Sequence, residues 1–220
     1  AIVKLAIPMI IAMFIQTLYN FVDALWVSGF GADFFTSVKV IDTGKLALAA
    51  IGYVLPFYMI MIALSNGIGL GASSAISRKI GANNKKDADN SDIHSIILSF
   101  LSAIIFSIIL YFLSDSIFIW LGAGESSTLA ISYGKIIFAG SIIVFFTNIS
   151  YAILRGEGDA RRTMYAIVIG AVINIILDPI FIYTFRLGVA GAAYATILSM
   201  IITSFILIYW LFFKKDTYLS

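Results

Sequence analysis

Two aspartates stand inside runs that are otherwise almost wholly apolar, Asp23 in "LYNFVDALW" and Asp178 in "NIILDPIF". A carboxylate at the centre of a membrane helix costs about 2.5 to 3.5 kcal/mol on insertion scales, so each needs a partner, a water-filled cavity or a proton. The neighbouring residues supply partners. Gln16, Asn20 and Asp23 are spaced i, i+4, i+7, which aligns them as a polar stripe on one helix face. Gly170, Asn174 and Asp178 recur every four residues and do the same on a second helix. Pro179 has no backbone N–H and its ring crowds the carbonyl of Ile175, which predicts a bend and a freed carbonyl beside Asp178. The chemistry such groups can do is ion handling. Desolvation favours the neutral form of a carboxyl, so the group can load and release a proton, or it can ionise and hold sodium together with amide and hydroxyl oxygens.

The elements that position these residues must be membrane helices. Of 220 residues, 61% are hydrophobic and 12% charged, against about a quarter charged in a soluble domain. Apolar runs recur along the chain, each long enough to cross a hydrocarbon core of about 30 Å. Six helices are predicted: Ile2 to Phe30, Leu46 to Ser77, Ile93 to Leu113, Ser127 to Leu154, Thr163 to Tyr183 and Val189 to Phe213. The fold class is therefore all-α integral membrane, without a soluble domain. With no cysteine, disulfides and thiol-based metal sites are excluded. A net charge of +2, spread as short basic clusters beside apolar runs, argues against a nucleic-acid partner. The opening "AIVKLAIPMI" carries no basic n-region or cleavage site, so no signal peptide is expected and the chain reads as part of a longer one.

Lys4, Arg78, Lys79, Lys85, Lys86, Arg155, Arg161, Arg162, Lys214 and Lys215 fall on one side of this arrangement, and only Lys39, Lys45, Lys135 and Arg186 on the other. The positive-inside rule then places both ends in the cytoplasm of a multi-pass cell-membrane protein. Trp26 and Trp120 come near the outer interface and Trp210 near the inner one. The helices carrying Asp23 and Asp178 run outward with both residues late in them, and the sixth helix places Thr196 at similar depth, as the fourth places Tyr133. Four helices thus offer polar groups at one level. Ala192, Thr196, Ser199 and Thr203 give the sixth helix a seam of small residues for close packing.

Other features carry less. His94, the only histidine, has no Cys or Glu near it and reads as interfacial. "GIGLG" at residues 67 to 71 has no strand before it, so close helix packing is expected and not a nucleotide loop. "NNKKDADNSD" is expected to be a solvated loop, and most aromatic residues to pack or to sit at the interface.

The stretch "LRGEGDARRTMYAIVIGAVINIILDPIFIYTFRLGVAGAAYAT", with "IPMIIAMFIQTLYNFVDALWVSGFG" and "SRKIGANN", resembles the multidrug and toxic compound extrusion (MATE) family of secondary transporters. The resemblance implies one six-helix lobe of a twelve-helix, two-lobe protein, with this chain as the N-terminal lobe and a C-terminal lobe absent from it. It further implies export of organic cations, drugs or other amphipathic compounds by antiport against protons or sodium, with no other cofactor. The family's cation-binding positions match Asp23, Asn174, Asp178 and Thr196, where sodium would bind, while Gln16, Asn20, Tyr133 and Asn148 are similar to supporting polar or cavity positions. The implied partners are a small organic substrate, the lipid bilayer and a second six-helix lobe, from a C-terminal half or a second copy. The outer loop "GADFFTSVKVIDTGKLALAA" is longer than the family connection.

Two alternatives stand beside this. A flippase for lipid or saccharide precursors, of the wider superfamily, would need a more basic cavity than a chain without clear intramembrane Lys or Arg supplies. An intramembrane aspartyl protease would also pair two aspartates, but Asp23 follows Val22 and Asp178 follows "IIL", unlike the Tyr-Asp and Gly-x-Gly-Asp motifs of such enzymes.

Overall fold

In a hydrocarbon medium every backbone polar group must be satisfied within its own segment, which makes helices of these apolar runs. A computed structural model describes residues 2–30 and 41–213. The helices are α1 (Ile2–Val27), α2 (Ile41–Gly81), α3 (Lys85–Trp120), α4 (Ser127–Ala139), α5 (Ser141–Gly156), α6 (Ala160–Pro179) and α7 (Val189–Ile208). Five of them are long and apolar enough to cross a membrane, and α4 with α5, counted together as one bent span, would make a sixth. The long outer loop falls largely on residues 31–40, outside the described residues, and its last part begins α2.

The predicted fourth helix is two helices, meeting at Gly140 with a bend of 49°. No proline forces this break. Gly140 is a poor helix former, and Ile197 of α7 fills the space a side chain would need, lying 2.2 Å from the position of a Cβ. Closeness to α7 is therefore what the glycine provides there.

The expected solvated loop after α2 is also corrected. Only Ala82–Asn84 connect the helices, and the polar stretch forms the first turns of α3. Asn84 explains the start: its Oδ1 accepts from the Asp87 amide at 3.2 Å and its Nδ2 donates to Asp87 Oδ2 at 2.8 Å. Lys79 Nζ donates to the Asp87 carbonyl at 3.0 Å and ties the end of α2 to this turn. In "RGEGD", Gly158 takes φ +88°, and Asp159 caps α6 by accepting from the Arg162 amide at 3.0 Å.

A ring-rich core joins α2, α3, α4 and α5, where Phe118, Phe138 and Phe145 are fully buried. Phe57 meets Phe118 and Phe138 edge-on at 6.0 and 6.2 Å. Of the "GIGLG" glycines, Gly69 makes a close approach, with a Cβ there 3.0 Å from Ala152, while Gly67 and Gly71 face open space. His94 is exposed and its Nδ1 bonds the Asn90 carbonyl at 2.7 Å.

Helix α1 stands apart from this core and packs chiefly against α6. Beyond Pro179 the chain widens into one π-type turn, Ile180–Thr184. This disruption follows Pro179, whereas α6 itself runs unbroken from Ala160 to Pro179. The turn presents Tyr183, whose hydroxyl donates to the Trp26 carbonyl and whose ring meets Trp26 edge-on at 6.3 Å. The C-terminal end of α1 and the turn that follows α6 are joined there, just beyond both aspartates.

Candidate functional site

Asp178 and Asn174, one turn apart on α6, are buried to 0% and 2% exposure, and Thr196 on α7 to 7%. The Asn174 amide has two N–H groups, and Nδ2 lies 3.4 Å from both Asp178 Oδ1 and Thr196 Oγ1, donating to each. Asp23, half-buried on α1, brings its carboxyl close enough to that of Asp178 for the two to interact. The four residues from three helices therefore form one cluster.

Two bare carboxylates repel at close range, so this approach calls for a proton or a cation between them. The remaining valences point the same way. Asp23 Oδ1, Asn174 Oδ1 and Asp178 Oδ2 are buried and accept from no N–H or hydroxyl among the described residues. Burying polar atoms without partners is costly, and three acceptors on two facing helices form a set that a proton or hard cation satisfies. Among the described residues, no group of three or more His, Cys, Asp and Glu side chains is placed to hold a metal ion. The donors here are instead two carboxyls, an amide and a hydroxyl, which suit sodium or a proton.

Asp23 also lines a cavity of about 570 Å³ between α1, α2, α4 and α7. Gln16 and Asn20, the rest of the polar stripe, face the same space, as do Tyr133 and Thr196. No Lys or Arg lines it among the described residues. Asn148 does not join this group. It lines a separate small cavity of about 50 Å³, with Gln16, Thr147, Asn174 and Thr203, where its Nδ2 has no partner.

Sequence reasoning missed Tyr19 and Tyr58, which both line the large cavity. An aromatic residue in an apolar helix reads as packing, and the one available signal is the place of Tyr19 beside Asn20. The small-residue seam of α7 is buried as expected, and Gly170 lets α6 approach it, since a Cβ there would lie 2.7 Å from Thr203 Oγ1.

The MatE family model matches residues 8–180. The multidrug export protein MepA of Staphylococcus aureus is 30% identical over 220 residues, covering 99% of this chain and 45% of that protein. The FAD transporter of Shewanella oneidensis is 30% identical over 194 residues, covering 85% of this chain and 42% of that protein. Among solved structures, a MOP superfamily transporter from Pyrococcus furiosus, described by a reversed polarity of its binding pocket that suggests a different function, superposes with TM-score 0.90 at 50% identity. That match covers 100% of this chain and 46% of the other. The chain spans about half the length of the relatives it matches.

Proposed function

The chain belongs to the MATE family of multidrug and toxic compound extrusion transporters, and from that premise we propose that it is one lobe of an exporter driven by proton or sodium entry at Asp23 and Asp178. The family consists of transporters and not enzymes, which sets aside the aspartyl protease reading. The observation that carries the ion-coupling proposal is the closeness of the two carboxyls, with three buried acceptor oxygens that no donor among the described residues reaches.

The proposed division of labour follows from placement. Asp178, held by Asn174, is the deep ion ligand, and Asp23 is shared between the ion and the cavity. A proton or sodium ion arriving at the pair neutralises Asp23 and weakens its hold on a cationic substrate. Departure of the ion restores that charge. In a two-lobe transporter this exchange is completed by rocking one repeat against the other around the shared site, so the second lobe is the proposed partner. One charge crossing 100 mV contributes about 2.3 kcal/mol before any concentration gradient. With both termini cytoplasmic, as proposed, the pair lies in the outer half of the membrane, within reach of ions driven inward.

The cavity favours organic cations and neutral amphipathic compounds, because Asp23 supplies negative charge and no basic side chain lines it. The same feature disfavours flipping of an anionic precursor. In the complete transporter, Asp23→Asn and Asp178→Asn should each abolish gradient-driven efflux of a cationic dye from proteoliposomes. Efflux at the native rate in both variants would refute ion coupling at this site.

A further inference from the structure

A second polar group lies on a different face of α4 from the large cavity. Between α3, α4 and α7 runs an open groove of about 610 Å³, lined by Tyr111, Ser132, Lys135, Gly140, Ile143 and Tyr194. Its size is that of a ligand site. Beside it α3 presents Ile108 and Phe112, exposed to 54% and 75% as lipid-facing residues are. At its upper rim Lys135 Nζ lies 2.8 Å from Asp115 Oδ2 and 5.8 Å from the centre of the Tyr111 ring. These side chains remain 32% and 55% exposed.

We propose that this groove is a phospholipid site in which the Asp115–Lys135 pair reads a zwitterionic headgroup bearing a primary amine and the groove below it takes an acyl chain. Depth supports a lipid. Asp115 lies about 7.5 Å of helical rise from Trp120, which is 84% exposed at the end of α3, so the pair sits within reach of the headgroup layer. From there α4 and the first turn of α5 run about 12 Å along their bent path between Lys135 and Ile143, past Ile136 and Gly140 at the bend, offering an apolar floor to a chain.

Charge selects the headgroup. The pair is neutral overall, so an anionic lipid would gain one attraction and meet one repulsion. A zwitterion satisfies both members, phosphate oxygens accepting from Lys135 and Ser132 while the ammonium donates to Asp115. A quaternary ammonium has no N–H and cannot make the second, charge-assisted bond. Phosphatidylethanolamine is thus preferred over phosphatidylcholine and phosphatidylglycerol. This inference does not depend on the ion site.

The test is native mass spectrometry of the delipidated complete transporter, titrated with dioleoyl lipids of the three headgroups. Phosphatidylethanolamine should bind about tenfold more tightly than the other two, as one charge-assisted hydrogen bond allows. Asp115→Asn should erase that preference, and Ile143→Trp, which fills the floor and leaves the pair intact, should weaken binding of all three. Equal affinities in the unaltered protein, or a preference that survives Asp115→Asn, would overturn the proposal. The comparison among headgroups decides it even if a variant does not fold.

Discussion

Asp23 and Asp178 bring their carboxyl groups close together yet face different spaces: Asp23 lines the large cavity, whereas Asp178 is fully buried and does not. One carboxyl can therefore sense substrate while the other senses only the ion and its neighbour. The two substitutions that remove charge should then differ. Asp23→Asn should weaken binding of a cationic dye to the purified transporter by about tenfold, equivalent to ~1.4 kcal/mol, while Asp178→Asn leaves it within a factor of about two. Fluorescence titration checks this, and identical losses in both variants would mean that the carboxyls act as one group toward substrate.

Asn174 serves two acceptors at 3.4 Å each, and Thr196 receives only one of these bonds. Replacing Asn174 with Leu leaves buried acceptors unserved, at a cost of about 1 to 3 kcal/mol, whereas Thr196→Val removes one bond worth about 0.5 to 1.5 kcal/mol. Thermal unfolding in detergent should rank the variants in that order. A more damaging Thr196→Val would move the centre of the cluster to α7.

The hydroxyl of Tyr183 holds the Trp26 carbonyl, joining α1 to the turn after α6, the helix against which α1 chiefly packs. Tyr183→Phe should cost about 1 kcal/mol and loosen α1 more than any other helix. Spin labels at the C-terminal ends of α1 and α6 should show a broadened distance distribution, with α6 to α7 distances unchanged. An unaltered α1 to α6 distribution would mean that the ring contact alone holds the two helices.

Two glycines allow close approach for different reasons. A Cβ at Gly140 meets the end of the Ile197 side chain at 2.2 Å, whereas one at Gly191 meets the Phe181 backbone at 2.7 Å. Overpacking costs about 1 to 3 kcal/mol where nothing can give. Gly140→Ala should therefore be rescued by Ile197→Ala in a double-mutant cycle, while Gly191→Ala has no side-chain remedy. Melting temperatures across the cycle give the answer, and additive effects at Gly140 and Ile197 would contradict the contact.

Much of the polar cluster around Asp178 was legible because helical period is a simple rule. The spacing of Gln16, Asn20 and Asp23 put all three on one cavity wall, and the Asn174–Asp178 repeat became a hydrogen bond. The break at Gly140 was not legible, since a lone glycine is tolerated in a helix and its cause is Ile197, distant in sequence. The start of α3 was misread because a polar run looks like a loop, although Asn84 followed by Asp87 at its third position is a capping pattern. Tyr19 and Tyr58 escaped because only the meeting of α1 with α2 turns two packing residues into cavity lining.

The account stands on the claim that the coupling ion sits between Asp23 and Asp178. The most direct measurement is ion binding to the purified complete transporter, following proton uptake in weak buffer and sodium binding by radioisotope, for the native protein and for Asp23→Asn and Asp178→Asn. The prediction is one saturable ion, proton or sodium, bound by the native protein and lost from both variants. Saturable binding of the same ion, undiminished in both, would contradict it.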